Sequence, residues 1–368
     1  MATVKAVRFY GQRNLKIEEI APQTCGPFDV RVKVAFCGIC GSDIHEYLGG
    51  PILTPKLGSK DPHTGLQLPV TLGHEISGEV VEVGPAVTTV AVGQRCAINP
   101  SVDDRHHGTD PCRTCRLGKP NLCKRWACYG LSAPGGGFSD EIVVHSASIV
   151  PIPDSVPLRV AALCEPLAVA CHMIRVSGFQ PGDSILVLGA GPIGLALLLL
   201  LKVRGAGQVF VSEISPSRAE KARQFGADAV IDPTNDSMGE GGDVVVSFVQ
   251  RKTEDGVDVS FDATGIQATL DTAIAATRAG GTIFNVAIHE KPLLINPNAL
   301  TLTEKKYMGG LCYTSEDFAV VVEALASGKL RAEEMITAVV PLRNAIEGAF
   351  EELINNKDNH IKIIVHPN

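Results

Sequence analysis

Residues 184–188 (SILVL) form an unbroken apolar run, and the next six residues are Gly189-Ala190-Gly191-Pro192-Ile193-Gly194. No other feature narrows the folds open to this chain as much. A short apolar run that ends in glycines and leads into a helical pattern is a buried strand turning sharply into a helix. Gly189 permits the tight turn, Gly191 lets a pyrophosphate approach the backbone, and Gly194 lets the helix lie close to the strand. The helix start, with Pro192 and Ile193 in its first turn, offers unpaired N–H groups to phosphates. Taken alone, the glycines also fit a plain tight turn. The neighbourhood favours a dinucleotide, because the next strand, 208–212, ends at Glu213, nineteen residues past Gly194. A carboxylate there accepts hydrogen bonds from both hydroxyls of an NAD ribose and repels the 2′-phosphate of NADP. Arg218 is either a cover for the adenosine or an ordinary helix-surface arginine. Thr264 and Val286, after later strands, complete the candidate cofactor contacts.

Around this motif, strands at 184–188, 208–212, 228–231, 257–262 and 281–287 alternate with helical patterns such as 216–225. Repeated strand–helix units imply a doubly wound parallel sheet covered on both faces, an α/β fold. The first 150 residues read differently. Residues 1–10 alternate as a strand, and short alternating runs such as 29–36 (DVRVKVAF) and 77–83 (SGEVVEV) are broken by Gly and Pro. They predict a twisted, mostly antiparallel body. A helix over 158–174 marks the change. In the tail we expect a last parallel strand at 306–311, a helix at 315–327, the short segment 335–337, another helix and a final strand at 361–365. The expected domains are 1–166, 167–306 and 307–368, the last returning to the first.

Composition removes several function classes. A net charge of −7 argues against nucleic acid as a partner. The longest apolar run, 195–201, is too short to span a bilayer, so no membrane partner is expected. No targeting signal is legible at either end, and the cytosol is the expected compartment. Eleven cysteines, an odd number, are expected there as thiols or metal ligands rather than disulfides.

Three segments carry metal-ligand residue types: Gly38-Ile-Cys40-Gly-Ser42-Asp43-Ile-His45, Gly73-His74-Glu75 and Cys164-Glu165-Pro166. Zinc accepts thiolate, imidazole and carboxylate, and a catalytic site leaves one position open. Each residue alone has a plain structural reading. A lone Cys is usually a small buried hydrophobe, and Glu165 suits a helix N-terminus. The combination has none.

The segments GICGSDIH, GHEISGEVVEVG, EPLAVACH and GAGPIG stand here in the order found in zinc-dependent medium-chain dehydrogenases, which the chain resembles over nearly its whole length. With Glu at the third segment and the stretch HEYLGGPI, it is similar to the sorbitol and butanediol dehydrogenase branch. The resemblance implies a GroES-like twisted β catalytic domain joined to a Rossmann domain. It implies a catalytic zinc at Cys40, His74 and Glu165, with Glu75 either reaching the metal or supporting its ligands. Asp43 is expected to orient His74. Ser42 and His45 are the implied proton relay, with Glu75 beside them. The implied activity is reversible NAD-linked oxidation of a secondary alcohol or vicinal diol, of the 2,3-butanediol and acetoin type. A polyol such as sorbitol or xylitol is the nearest rival, and a catalytically silent zinc protein of structural or regulatory role is the rival of another class.

Cys112, Cys115 and Cys123 match three ligands of the family's structural zinc lobe. The fourth position, three residues before Cys112, is Thr109, so the second zinc stands open, with Asp110, His106 or His107 as substitutes for the missing ligand. The apolar last strands of the parallel sheet would expose an edge, and a homodimer or homotetramer is expected.

Overall fold

Alternation along Asp29–Gly38 turns Val30, Val32 and Val34 inward and leaves Lys33 in solvent, the pattern of a strand that buries one face. The computed structural model describes residues 3–235, 242–289 and 291–367; Met1, Ala2 and Asn368 lie outside the described residues. Asp29–Gly38 pairs antiparallel with Glu75–Val83, Glu141–His145 and Lys362–His366. The sheet they share runs Ile149–Pro151, Arg95–Ile98, Glu75–Val83, Asp29–Gly38, Lys362–His366, Ile336–Pro341, with Glu141–His145 off that path. A second sheet joins Asn14–Ile20, Val4–Gly11 and Val70–Thr71. Between them lies a core of valines with Phe9, Phe138, Ile142 and Phe350.

By its contacts the chain divides into two units. One is Met1–Glu165 with Tyr313–Gly328 and Ala332–Asn368; the other is Pro166–Cys312 with Lys329–Arg331. The single helix expected over 158–174 is two, Leu158–Ala161 and Cys164–Val176. Pro166 is the reason. It has no N–H to offer the carbonyl of Ala162, so the first helix cannot run through it. The restart puts Glu165 in the first turn of the new helix.

In the second unit six parallel strands form one sheet: Ser184–Leu188, Gln208–Ser212, Ala229–Ile231, Val257–Asp262, Thr277–Asn285 and Lys306–Gly309. They lie side by side in the order third, second, first, fourth, fifth, sixth. This is the doubly wound dinucleotide-binding order, whose crevice opens between the first and fourth strands. Helices Pro192–Val203, Pro216–Gln224, Val244–Thr253 and Gln267–Ala276 connect the strands and bury Leu186, Leu188, Phe210, Val245, Val249 and Leu270. Among the described residues no helix is long and apolar enough to cross a membrane.

Candidate active site

The register of the first sheet assembles the metal-ligand residues. Gly38 stands opposite Glu75 on one side and Ile364 on the other. A Cβ on Gly38 would come within 1.9 Å of Glu75 Oε2, so only glycine leaves room for that carboxylate. Gly73 holds a left-handed φ of +95°, with Cys37 Sγ and Phe138 where a Cβ would go. That turn sets His74 and Glu75 at the start of their strand. On the other side of Gly38, Cys40 caps the helix Gly41–Gly49, and its N–H donates to Asp43 Oδ2 at 2.9 Å. Ligand atoms of Cys40, His74 and Glu75 lie within 4.8 Å of one another.

His74 has a polar neighbour at each ring nitrogen. Ser42 Oγ lies 3.2 Å from Nε2, and the fully buried Asp43 places Oδ1 3.6 Å from Nδ1. Burial works against charge on this imidazole, but the Asp43 carboxylate raises it well above its ordinary value. Glu75 Oε1 accepts from Lys362 Nζ at 2.6 Å, and Lys362 also donates to the Ile39 carbonyl at 3.0 Å. Both side chains are buried. Glu75 Oε2 has no partner, and neither do His74 Nδ1 and Asp43 Oδ1 at hydrogen-bond distance. Orphaned buried acceptors beside a thiol and an imidazole are the donor set a zinc ion satisfies. The residues therefore fit the metal.

Glu165 is buried beside this group but is not in the tight trio. Burial pushes its carboxyl up to about 7, and the Glu75 charge adds to this; His74, the Tyr313 hydroxyl and Lys362 pull the other way. The trio's carboxylate is thus Glu75, with Glu165 as the next acid. Cys37 is fully buried in the core. His45 is exposed, one turn beyond Ser42 on the same helix. Sequence reading missed Lys362 and Tyr313. The signal for Lys362 was a lone lysine in the otherwise apolar run Ile361-Lys-Ile-Ile-Val365.

In the parallel sheet, Gly189 has φ +95°, and a Cβ there would meet Thr264 Cγ2 at 2.7 Å. A Cβ on Gly194 would stand 1.9 Å from Gly189 O, whereas one on Gly191 would meet nothing within 4 Å. The first two glycines serve the turn and the helix contact, and Gly191 borders open space. It caps the helix Pro192–Val203, with Pro192 at its first position and Ile193 next. Glu213 Oε2 accepts from the Ala190 N–H at 2.6 Å and Oε1 from Ser215 N–H at 2.8 Å, so the acid is already fastened across the glycine turn. Arg218 is in the first turn of Pro216–Gln224. Thr264 donates to Asp262 Oδ1 at 2.7 Å, and Val286 N–H to Asp262 O at 2.9 Å. These groups share the carboxyl edge of the sheet.

The cysteine lobe corrects one expectation. The group that joins Cys112, Cys115 and Cys123 is Asp104. His106 is engaged by Asp103 and Ser148, His107 by the Arg125 carbonyl, and Asp110 is exposed. The Thr114 hydroxyl and backbone N–H groups bring the Cys112 thiol down to about 7, while burial raises Cys115 and Cys123.

Comparison with known proteins agrees with this architecture. A family described as "Zinc-binding dehydrogenase" matches residues 192–327, and one described as "Alcohol dehydrogenase GroES-like domain" matches 26–154. The chain is 40% identical over 355 residues to (R,R)-butanediol dehydrogenase of Saccharomyces cerevisiae, covering 92% of this chain and 91% of that one. It is 33% identical over 332 residues to D-xylulose reductase A of Aspergillus niger, covering 90% and 88%. The crystal structure of 2R,3R-butanediol dehydrogenase from Bacillus subtilis superposes with a TM-score of 0.90 at 37% identity, covering 99% of this chain and 100% of that one.

Proposed function

We propose, from the premise that the chain belongs to the zinc-binding alcohol dehydrogenase family, that it interconverts a vicinal diol or secondary alcohol and its ketone, of the 2,3-butanediol and acetoin type, with NAD(H). Family membership makes it an enzyme and sets aside the silent zinc protein. The observation that carries the reaction is the convergence of Cys40, His74 and Glu75 around orphaned buried acceptors. Identity of 40% over nine-tenths of the chain to a butanediol dehydrogenase supports the diol.

When bound, zinc supplies a Lewis acid that lowers the pKa of the alcohol oxygen, and NAD supplies the hydride acceptor. Cys40, His74 and Glu75 would hold the metal, with Glu165 as the next buried acid beside them. Asp43 orients the His74 ring, and Lys362 keeps one Glu75 oxygen occupied so that the other faces the trio. Ser42 Oγ would accept the substrate's hydroxyl proton while releasing its own, and His45, one turn further and in solvent, is the group proposed to pass a proton on to water. Glu213 accepts from the ribose hydroxyls, and Gly191, Ile193 and Gly194 present backbone N–H groups to the pyrophosphate, with Arg218, Thr264 and Val286 around the bound cofactor.

A polyol is the second reading, favoured by the similarity to a D-xylulose reductase. Steady-state NADH formation by zinc-replete protein over 2,3-butanediol stereoisomers, sorbitol and xylitol, with NAD and NADP, separates the two. The diol reading expects its highest kcat/KM on 2,3-butanediol with NAD. A higher value on xylitol replaces it, and no turnover on any secondary alcohol removes both.

Exposed Leu294, Leu302, Tyr307 and Leu311 near the last parallel strand support pairing of copies into a homodimer or homotetramer. The cytosol is the proposed compartment, where cysteines stay reduced or bind metal.

A further inference from the structure

The lobe around residues 103–128 carries chemistry that hydride transfer does not use. Cys112 Sγ and Cys123 Sγ are 3.9 Å apart. A disulfide bond is about 2.05 Å long. Two thiolates on one tetrahedral zinc, each about 2.3 Å from the metal, stand roughly 3.8 Å apart. Cys115 Sγ and a carboxylate oxygen of Asp104 complete a set of four ligand atoms, all within 4.8 Å of one another.

Asp104 is 1% exposed. Its Oδ2 accepts the Cys112 N–H at 2.6 Å, and its Oδ1 accepts from the Arg125 guanidinium. Each carboxylate oxygen keeps a further lone pair. A backbone donor also points at a sulfur: Arg125 N–H reaches Cys123 Sγ at 3.3 Å; the Thr114 hydroxyl, 3.2 Å from Cys112 Sγ, gives its proton to the Leu122 carbonyl at 2.8 Å. A zinc ion here would hold the three sulfurs as thiolates and balance their charge beside the Asp104 carboxylate. Thr109 stands where a fourth thiolate would be, and its N–H donates to the Asp104 carbonyl at 3.1 Å. The residue that lacks a strong ligand thus helps hold the loop that carries one.

We propose that Asp104 is the fourth ligand of a structural zinc held with Cys112, Cys115 and Cys123. Three sulfurs and one oxygen close a tetrahedron and leave no open position, so this metal shapes the lobe and takes no substrate. The assignment is independent of the alcohol reaction proposed above. Absent turnover with the lobe zinc in place would sink that reaction and leave Asp104 untouched.

The test uses the full-length Cys40→Ser variant, in which the lobe zinc is read without the catalytic one. One zinc per chain is expected, with an X-ray absorption shell of three sulfurs and one oxygen. Asp104→Asn, added to that background, keeps an acceptor for the Cys112 N–H but is a poor ligand. Zinc release to a chelator should accelerate by more than the roughly 10–100-fold that loss of an outer hydrogen-bond partner costs. No lobe zinc, a four-sulfur shell or an imidazole in the shell overturns the assignment. An unchanged release rate also overturns it, by giving the oxygen to water. Should the Asn variant fail to fold, Asp104→Glu gives the second measurement. It keeps the carboxylate and should retain the three-sulfur, one-oxygen shell with one zinc per chain. Loss of the oxygen from that shell, in a folded Glu variant, counts against Asp104.

Discussion

Replacing Lys362 by Met tests the buried pair that positions Glu75. The two side chains are 2% and 0% exposed, and Nζ and Oε1 lie 2.6 Å apart. Met keeps most of the lysine's stem and removes its ammonium, so the Glu75 carboxylate stays buried without its counter-charge. Breaking one side of such a pair costs about 3–5 kcal/mol. For a folding unit of roughly 150–250 residues, 1 kcal/mol lowers Tm by about 2–4 °C. The metal-free variant should therefore melt about 6–20 °C below the metal-free parent. Adding Glu75→Gln removes the stranded charge, and the double variant should recover most of the loss. Zinc should also shrink the gap, because a bound cation supplies the counter-charge that Lys362 no longer gives. Scanning calorimetry of the parent, both single variants and the double variant, each with and without zinc, reads all of this. A metal-free Lys362→Met variant melting within about 2 °C of the parent, or strictly additive losses in the double variant, would refute the argument.

Three further expectations follow from the same geometry. Cys40→Ser should lose one zinc per chain together with turnover, by metal analysis and NADH formation; retained activity removes Cys40 from the ligand set. Glu213→Ala removes the carboxylate proposed to accept from the ribose, and hydrogen bonds to charged groups are worth about 1.5–3 kcal/mol each. It should lower kcat/KM for NAD by about 10–100-fold while sparing NADP, and an unchanged cofactor ratio counts against that role. For Glu165 the folded carboxyl titrates at about 7, above its ordinary 4.5, with burial as the main cause. A raised pKa means that the folded state holds the proton more tightly. Its stabilising contribution is thus full below about 4.5 and is lost as pH rises through about 7. Denaturant unfolding of the zinc-free protein across that window should show the decline, and Glu165→Gln should flatten it; equal slopes in the two would contradict this.

Much of the fold and of the site is legible in the residues themselves. The turn at Gly189, the close approach at Gly194 and the acid at Glu213 are local necessities. Each is dictated by what a strand-to-helix turn and a ribose require within about thirty residues. The metal-ligand types were legible for the same reason. Thr109 could be read as a departure without any coordinates. The helix break before Pro166 was missed, although its signal was local: a proline there leaves the Ala162 carbonyl without its donor.

What the sequence could not decide is which groups meet across long separations. Glu75 and Glu165 are both acids in suitable contexts. The register that sets Gly38 against Glu75 makes Glu75 the tight neighbour of Cys40 and His74. Lys362 reaches that site because the last strand returns beside Gly38, a pairing that no local pattern announces. Asp104 was hidden differently. It lies eight residues before Cys112, close enough to read, yet Asp110, His106 and His107 were nearer or chemically more inviting. The loop turns the two histidines to Asp103, Ser148 and the Arg125 carbonyl and leaves Asp110 in solvent. The sequence by itself thus determined the chemistry available, a dinucleotide turn and two groups of zinc-ligand types. Only the tertiary structure decided which carboxylates stand beside the thiols and the imidazole, because burial and strand register, not residue type, select among equivalent acids.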